Sequence, residues 1–199
     1  IKLENIDFLD HLKKLINYHS SPISTISYFI HSLISKEASQ QGYKVIVSGT
    51  GADEIFTGYY DHYLYHLSSL DNKESYNQNL KFWEINTKKK IRNPILRNPK
   101  SFSNKFLYEQ NIAKHIYDNS EKLKIYLKKF KGEKFYEVNK SKNLLRNRMF
   151  NELFYEVVPV ILYEDDLNSM MNSIENRSPF LDSKLYEFSL SIPHEILIQ

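Results

Sequence analysis

The sequence predicts a mostly α-helical fold with one short β-strand at about residues 44–48. Apolar residues recur three or four positions apart in several segments, which is the spacing of a helix face packed on a core. Only 5 glycines and 6 prolines occur among 199 residues, so regular structure should be interrupted rarely. One β-branched run, Val45–Val47, interrupts the helical pattern and is typical of a strand.

The first two predicted elements are helices separated by a proline. Residues 7–18 form the first, and Ser20-Ser21-Pro22 ends it, because proline disfavours helical backbone at the residue before it. The second helix ends at Gly42, a usual position for a glycine after a helix. The apolar positions of the two helices are Phe8, Leu12, Leu15 and Ile16, then Ile23, Ile26, Ile30, Leu33, Ile34 and Ala38.

The strand follows directly and leads into a glycine-containing loop. We expect both of its faces to be buried, since the run is apolar and β-branched. One strand cannot make a sheet, so its partners must lie elsewhere in this chain, in another molecule or in residues outside this sequence. We favour the last of these. After Ser48–Glu54 the sequence is again helical, from Ile55 through about Leu70.

The remaining segments also favour helices, with turns between them. Predicted helices span residues 74–91, 102–130, 161–171 and 183–192, with proline breaks at 93–94 and 98–99 and a polar loop over 131–142. Another helix begins near Leu145 and continues to Val158, where Pro159 kinks or ends it. Residues 178–181 form a turn, and Asp182 is the N-cap of the last helix.

Composition excludes several classes of protein. The net charge of +3 is too small for a typical nucleic-acid binder, and we interpret the basic runs at residues 88–92 and 128–131 as solvated helix faces. No cysteine is present, so disulfides, thiol nucleophiles and thiolate metal sites are excluded. No apolar run approaches the ~20 residues of a membrane span. We expect a cytoplasmic protein with no membrane or nucleic-acid partner.

The strand, loop and helix around Ser48–Glu54 carry the clearest chemical signal. Gly49 and Gly51 allow backbone to approach a ligand closely, and amides at a helix start attract anions. Asp53 and Glu54 would repel a phosphate unless a cation lay between, and Mg²⁺ is the natural one. The alternative is a tight turn in which both carboxylates only complement the helix dipole.

Two segments resemble one enzyme family. Residues 45–59, VIVSGTGADEIFTGY, resemble the asparagine synthetase segment V-V-L-S-G-E-G-A-D-E-L-F-G-G-Y. Residues 163–182, YEDDLNSMMNSIENRSPFLD, resemble Y-x-D-R-N-S-M-A-x-S-I-E-A-R-V-P-F-L-D of the same family. The chain is identified by resemblance as an internal fragment of the C-terminal synthetase domain of glutamine-hydrolysing asparagine synthetases, a single partial domain over residues 1–199.

The resemblance implies an α/β fold of the adenine nucleotide α-hydrolase-like, PP-loop ATPase type. It also implies a ligase that uses ATP and Mg²⁺ to convert aspartate to β-aspartyl-AMP, which ammonia from a separate glutaminase domain then converts to asparagine. A homodimer is a possible assembly. The implied nucleotide-binding residues are Ser48, Gly49, Gly51 and Asp53, with Asp53 also the Mg²⁺ ligand, and the implied catalytic positions are Thr50 and Glu54.

The chain departs from the family pattern at Thr50, where the family has a glutamate that assists formation of the acyl-adenylate. Threonine has no useful acid or base character near neutral pH. The family's S-G-G-x-D-S loop, its K-x-x-L-R lysine segment and the glutaminase cysteine are also not found within residues 1–199. We therefore expect a fragment that is inactive alone.

Two other functions remain open at this point. A related amidotransferase would act on another carboxylate or a sugar acceptor, for example in surface-polysaccharide synthesis. A non-catalytic binding module would use a decayed synthetase fold. Asking which acceptor drives pyrophosphate release, and whether the protein binds ATP, separates these hypotheses.

Weaker candidates have simpler structural interpretations. His62 and His66 have metal-ligand spacing on a predicted helix, but a packed or surface pair is favoured. His19 is expected in the loop before the second helix. In the second segment, Glu175 and Arg177 pair near a turn, and Asp165 and Asn168 share a helix face that packs or borders a cleft.

Overall fold

The computed structural model describes residues 1, 4, 6–99, 124–129 and 136–198. The chain divides into two compact units. Unit 1 contains Ile1–Phe56 and Glu152–Ile192, and unit 2 contains Thr57–Asn151 and Pro193–Gln199. Most of the helix predicted over residues 102–130 lies outside the described residues, although Lys124–Tyr126 form a single 3₁₀ turn. That residues 1–199 are one partial domain stays a prediction.

Unit 1 begins with the two predicted helices. Helix α1 spans Phe8–His19, and its N-cap Asp7 accepts a hydrogen bond of 3.0 Å from the amide of Asp10. Helix α2 spans Ile26–Gln40, and Gly42 follows it with a φ of +87°. The structure therefore confirms both helices that the local signals predicted. His19 is the last residue of α1 rather than a loop residue, so that expectation was wrong.

The predicted strand is present, but its partner lies in the same chain. Strand β1, Val45–Val47, pairs in parallel with strand β2, Glu175–Arg177. The expectation of partners outside the chain was wrong for this neighbour, because Glu-Asn-Arg carries no apolar strand signal. Burial on both faces was also wrong, since Val45 is 45% exposed and Val47 is 67% exposed. A two-stranded sheet leaves these side chains uncovered.

The helix predicted from Ile55 to about Leu70 is two helices. Helix α3 spans Ala52–Phe56 and helix α4 spans Tyr60–Ser68. Thr57 separates them with a φ of +67°, a left-handed conformation that ends a right-handed helix. Its hydroxyl donates a hydrogen bond of 2.7 Å to the carbonyl of Leu197. Nothing in the local apolar pattern signals this break, because threonine is not a usual left-handed residue.

The second segment of unit 1, Glu152–Ile192, contains Pro159 near its start. Glu152–Glu156 form a π-helical turn, and helix α7 then spans Val158–Met170 with the proline in its first turn. A 3₁₀ turn at Pro179–Leu181 precedes helix α8, Ser183–Ser191, whose N-cap is Asp182 as predicted. Apolar side chains from these elements and α3 make one core cluster, centred on Ile55, Leu153 and Val158. A second cluster joins α1 to α2 through Leu15, Phe29 and Leu33.

Buried polar contacts hold α7 against α2 and the turn before it. Glu164, 3% exposed, accepts hydrogen bonds from the Ser24 amide at 3.0 Å and the Ser24 hydroxyl at 2.6 Å. Asp165 lies 2.8 Å from Nδ1 of His31, and Asn168 donates to the carbonyl of Tyr28 at 3.0 Å. The structure thus places Asp165 and Asn168 in helix packing.

Unit 2 is helical in the residues that the structure describes. Besides α4 it contains helices α5, Lys73–Asn86, α6, Leu144–Asn151, and α9, His194–Leu197. A 3₁₀ turn at Lys88–Lys90 takes the place of the last part of the helix predicted over 74–91. The core of unit 2 is the cluster Leu64, Tyr65, Leu67, Trp83, Ile91, Leu145, Met149 and Ile198.

The two histidines of α4 are buried, as the packed interpretation predicts. His62 is 1% exposed and His66 is 3% exposed. Burial, followed by the nearby charge of His194, lowers the pKa of His66.

Within the described residues, no helix is both long and apolar enough to cross a membrane.

Removing the cap of α8 should destabilise the protein. Asp182 accepts hydrogen bonds from the amides of Lys184 at 2.9 Å and Leu185 at 3.1 Å. Asp182→Ala should lower the free energy of unfolding by about 1 kcal/mol, measured by urea titration. Asp182→Asn retains the acceptor oxygen and should stay near wild type; equal losses in the two variants would contradict the cap.

The stability of unit 1 should fall in mild acid through His11. Its Nε2 lies 2.7 Å from the Ser32 hydroxyl, which itself donates to the Phe29 carbonyl. Burial, and then the charges of Lys36 and Lys14, lower the pKa of His11 below its usual 6.5. The folded state therefore binds this proton less tightly than the unfolded chain does. The contribution of His11 to the free energy of unfolding is complete above pH about 6.5 and is lost as the pH falls below it.

The test compares urea unfolding of wild type and His11→Gln at pH 7.5 and pH 5.5. The variant keeps a side-chain donor but does not titrate, so it should lose less stability between the two pH values than wild type does. An identical pH dependence in both proteins would show that His11 contributes nothing to it.

Candidate functional site

The parallel pairing of β1 and β2 brings two loops side by side. Val47 stands opposite Arg177, and the Ser48 amide extends the ladder with a hydrogen bond of 2.8 Å to the Arg177 carbonyl. Ser48 and Ser178 are therefore the first residues after the two strands, at adjacent positions. The carboxyl ends of parallel strands are where open α/β sheets bind ligands.

The two glycines of the loop differ in what surrounds them. Gly51 has a φ of +95°, and a Cβ there would overlap Cδ2 of Leu181 and lie 3.1 Å from its Cγ. A Cβ on Gly49 would meet nothing within 4 Å. Gly51 is thus required by backbone conformation and packing, whereas Gly49 leaves open space beside the loop.

The amides of the loop supply hydrogen-bond donors. The carbonyls of Gly49 and Gly51 accept from the amides of Ala52 and Ile55 at 3.1 and 3.2 Å, which starts α3. Among the described residues, the amides of Gly49, Thr50 and Gly51 donate no hydrogen bond. Because α3 has only 5 residues, its dipole is small, and these amides are the main attraction for an anion.

Three hydroxyl groups lie at the strand ends. The Ser48 hydroxyl donates to Oγ1 of Thr50 at 3.1 Å, and it lies 2.9 Å from Oγ of Ser178. Ser48 and Thr50 are half-buried, and Ser178 closes the group from the other strand. The sequence indicated Ser178 only as part of a turn, because the polar strand before it carries no apolar signal.

The two carboxylates of α3 have different environments. Asp53 is exposed, whereas Glu54 is only 3% exposed. The helix that carries them is anchored by Ile55, which is 1% exposed, and by Phe56, whose ring packs edge-on against Phe180 at 6.4 Å. The chemistry of the group fits a magnesium-bound phosphate: amides without partners, an open glycine and an exposed carboxylate within six residues of chain.

The side chains of Glu175, Arg177 and His19, which the sequence also suggested as candidates, have partners outside this loop. Arg177 donates to Glu175 at 2.8 Å, and both side chains are exposed, so they pair as the simpler interpretation predicts. Glu164 was not singled out from the sequence, because a buried carboxylate in a helix gives no local signal. His19 is 4% exposed with Nδ1 at 3.3 Å from Glu164.

Comparison with protein families decides the relationship of this chain. The model of the family described as asparagine synthase matches residues 1–199. The chain belongs to the asparagine synthase family. Searches of curated proteins and of solved structures each found no significant match.

The match confirms the resemblance seen in residues 45–59 and 163–182. In this member of the asparagine synthase family, those two segments supply β1 with its loop and β2 with its turn. The structure shows a mostly helical chain with a two-stranded parallel sheet. The segments that resemble the family most are the ones that meet at the strand ends.

Substitution of the two glycines should separate their roles. Gly51→Ala should lower the free energy of unfolding by about 2 kcal/mol or more, from left-handed strain and overlap with Leu181. Gly49→Ala should change it by less than about 0.5 kcal/mol, since the added methyl group meets open space. Urea unfolding measures both, and similar losses in the two variants would contradict the assigned conformations.

Proposed function

We propose that this chain is part of an ATP-dependent ligase that amidates a carboxylate, with aspartate as the expected acceptor and β-aspartyl-AMP as the activated form. The observation that carries the proposal is the loop at the carboxyl end of β1. It combines three amides without partners, the open side of Gly49 and the exposed Asp53. Membership of the asparagine synthase family supports a ligase that uses ATP.

Each part of the loop would have one task in binding Mg²⁺-ATP. The amides of Gly49, Thr50 and Gly51 would donate to phosphate oxygens, and the missing side chain at Gly49 would let the phosphates approach. Asp53 would hold the magnesium ion, which would supply positive charge against the phosphates. The bound nucleotide supplies the phosphoanhydride whose cleavage activates the acceptor.

Thr50 and Glu54 would act on the acceptor side of the reaction, whereas Ser48 would contact the nucleotide. Ser48 lies between the ladder and the loop, where its hydroxyl contacts Thr50. Thr50 and Glu54 occupy the catalytic positions that the family resemblance implies. The same proposal includes a PP-loop ATPase fold for the complete domain, ammonia from a glutaminase domain, a homodimer and a cytoplasmic location.

The first test removes the proposed magnesium ligand. Asp53→Asn keeps the size of the side chain but removes its negative charge, so the protein should lose ATP-dependent pyrophosphate release almost completely. The measurement is a coupled pyrophosphate assay on the protein that contains this chain, with aspartate and ammonia supplied.

Asp182→Asn is the matched control, because it makes the same change at an exposed aspartate that only caps α8. It should release pyrophosphate at the wild-type rate. Retained aspartate-dependent release by Asp53→Asn would refute the magnesium role of Asp53.

A second candidate function changes the acceptor and keeps the activation by ATP. It is favoured by Thr50, which cannot accept or deliver a proton near neutral pH as a glutamate can. The discriminating experiment measures pyrophosphate release with aspartate, other carboxylates and carboxylated sugars in parallel. Turnover with aspartate well above all others would exclude this alternative, and turnover only with another acceptor would establish it.

A further inference from the structure

The hydroxyls of Ser178, Ser48 and Thr50 form a hydrogen-bonded chain across the ends of the two strands. The distances are 2.9 Å from Ser178 Oγ to Ser48 Oγ and 3.1 Å from Ser48 Oγ to Thr50 Oγ1. The backbone ladder fixes its base, since the Ser48 amide donates to the Arg177 carbonyl at 2.8 Å. The position of Ser178 therefore follows from strand pairing.

The direction of the protons in this chain follows from counting donors. A serine hydroxyl has one proton and accepts through its lone pairs. Ser48 uses its only hydroxyl hydrogen to donate a hydrogen bond to Thr50. At the other contact Ser48 is therefore the acceptor and Ser178 is the donor. Thr50 receives a hydrogen bond and keeps its own proton, which has no acceptor among the described residues. The chain therefore ends in a hydroxyl group that is ready to donate.

Two departures from the family segments meet in this chain of hydroxyls. Thr50 stands where the family segment has glutamate, and Ser178 stands where the other segment has valine. A carboxylate at position 50 would accept hydrogen bonds, whereas Thr50, with Ser48 donating to it, donates. A valine at 178 would give Ser48 no donor. The two substitutions together change this corner of the site from an acceptor to an aligned donor.

We infer that Ser178 is a positioning residue that, through Ser48, holds the Thr50 hydroxyl as a hydrogen-bond donor to an anionic oxygen of the ligand. The inference rests on the proposed function, because the ligand oxygen belongs either to an ATP phosphate or to the acceptor carboxylate. Both sources have the same chemistry, an oxyanion that accepts one hydrogen bond beside the amides of Gly49–Gly51. Ser178 itself touches neither reactant and acts only through Ser48.

The experiment compares Ser178→Val with Ser178→Thr in the protein that contains this chain. Valine removes the hydroxyl and restores the family residue, whereas threonine retains the hydroxyl. Calorimetry with Mg²⁺-ATP gives Kd, and pyrophosphate release against acceptor concentration gives KM and kcat. Ser178→Val should weaken one of the two ligands by about two- to tenfold, the usual effect of one hydrogen bond, and Ser178→Thr should restore it.

The affected constant identifies the oxygen. A raised Kd for Mg²⁺-ATP assigns it to the phosphates, and a raised KM for the acceptor with an unchanged Kd assigns it to the carboxylate. The double variant Ser178→Val with Thr50→Val should be no weaker than Thr50→Val alone, because Ser178 acts only by positioning the hydroxyl that Thr50→Val removes. Ser178→Ala with the same readouts replaces Ser178→Val if the larger side chain prevents folding.

Several results would overturn the inference. Wild-type Kd and KM in Ser178→Val, failure of Ser178→Thr to restore the loss, or additive losses in the double variant would each show that Ser178 does not act through Thr50. In all three cases Mg²⁺-ATP binding by wild type would leave the proposed function standing. A wild-type protein that binds no Mg²⁺-ATP would overturn both.

Discussion

The parallel pairing of two three-residue strands is the constraint on which the candidate site depends. β1 and β2 are separated by most of the chain, yet their register places Val47 opposite Arg177 and makes Ser48 and Ser178 neighbours. A parallel pair requires a long crossover between its strands. Here the crossover includes residues Thr57–Asn151 of unit 2 and α7. Without this pairing, the loop with the unpaired amides and the turn that supports it would have no reason to meet.

The second strand is held in register by the helix that precedes it. Ile174, just before β2, is 1% exposed, and its amide donates to the Ser169 carbonyl at 3.0 Å. α7 is in turn fixed by buried polar contacts, such as Glu164 to Ser24. Removing one partner from a buried contact of this kind costs more than the contact itself contributes. Much of unit 1 therefore serves to place Ser178 and Leu181 against the loop of β1.

The parts of this fold that could be predicted are those with local signals. Asp182 before an apolar run predicted the start of α8, because a side-chain cap acts within one turn. β2 was missed since Glu-Asn-Arg, residues 175–177, is polar and pairs through its backbone alone. The break at Thr57 was missed because its φ of +67° belongs to a residue type that seldom adopts it. The loop at Ser48 was predicted from its letters, whereas the role of Ser178 required the register of the sheet.

The most direct test of nucleotide binding observes the loop amides themselves. In ¹H–¹⁵N spectra of the protein titrated with Mg²⁺-ATP, the amide resonances of Gly49, Thr50 and Gly51 should shift together with one Kd. Gly42, which follows α2, should not shift and serves as an internal reference. Saturating nucleotide that leaves these three resonances unchanged, or shifts Gly42 as much as them, would contradict the claim that this loop binds the phosphates.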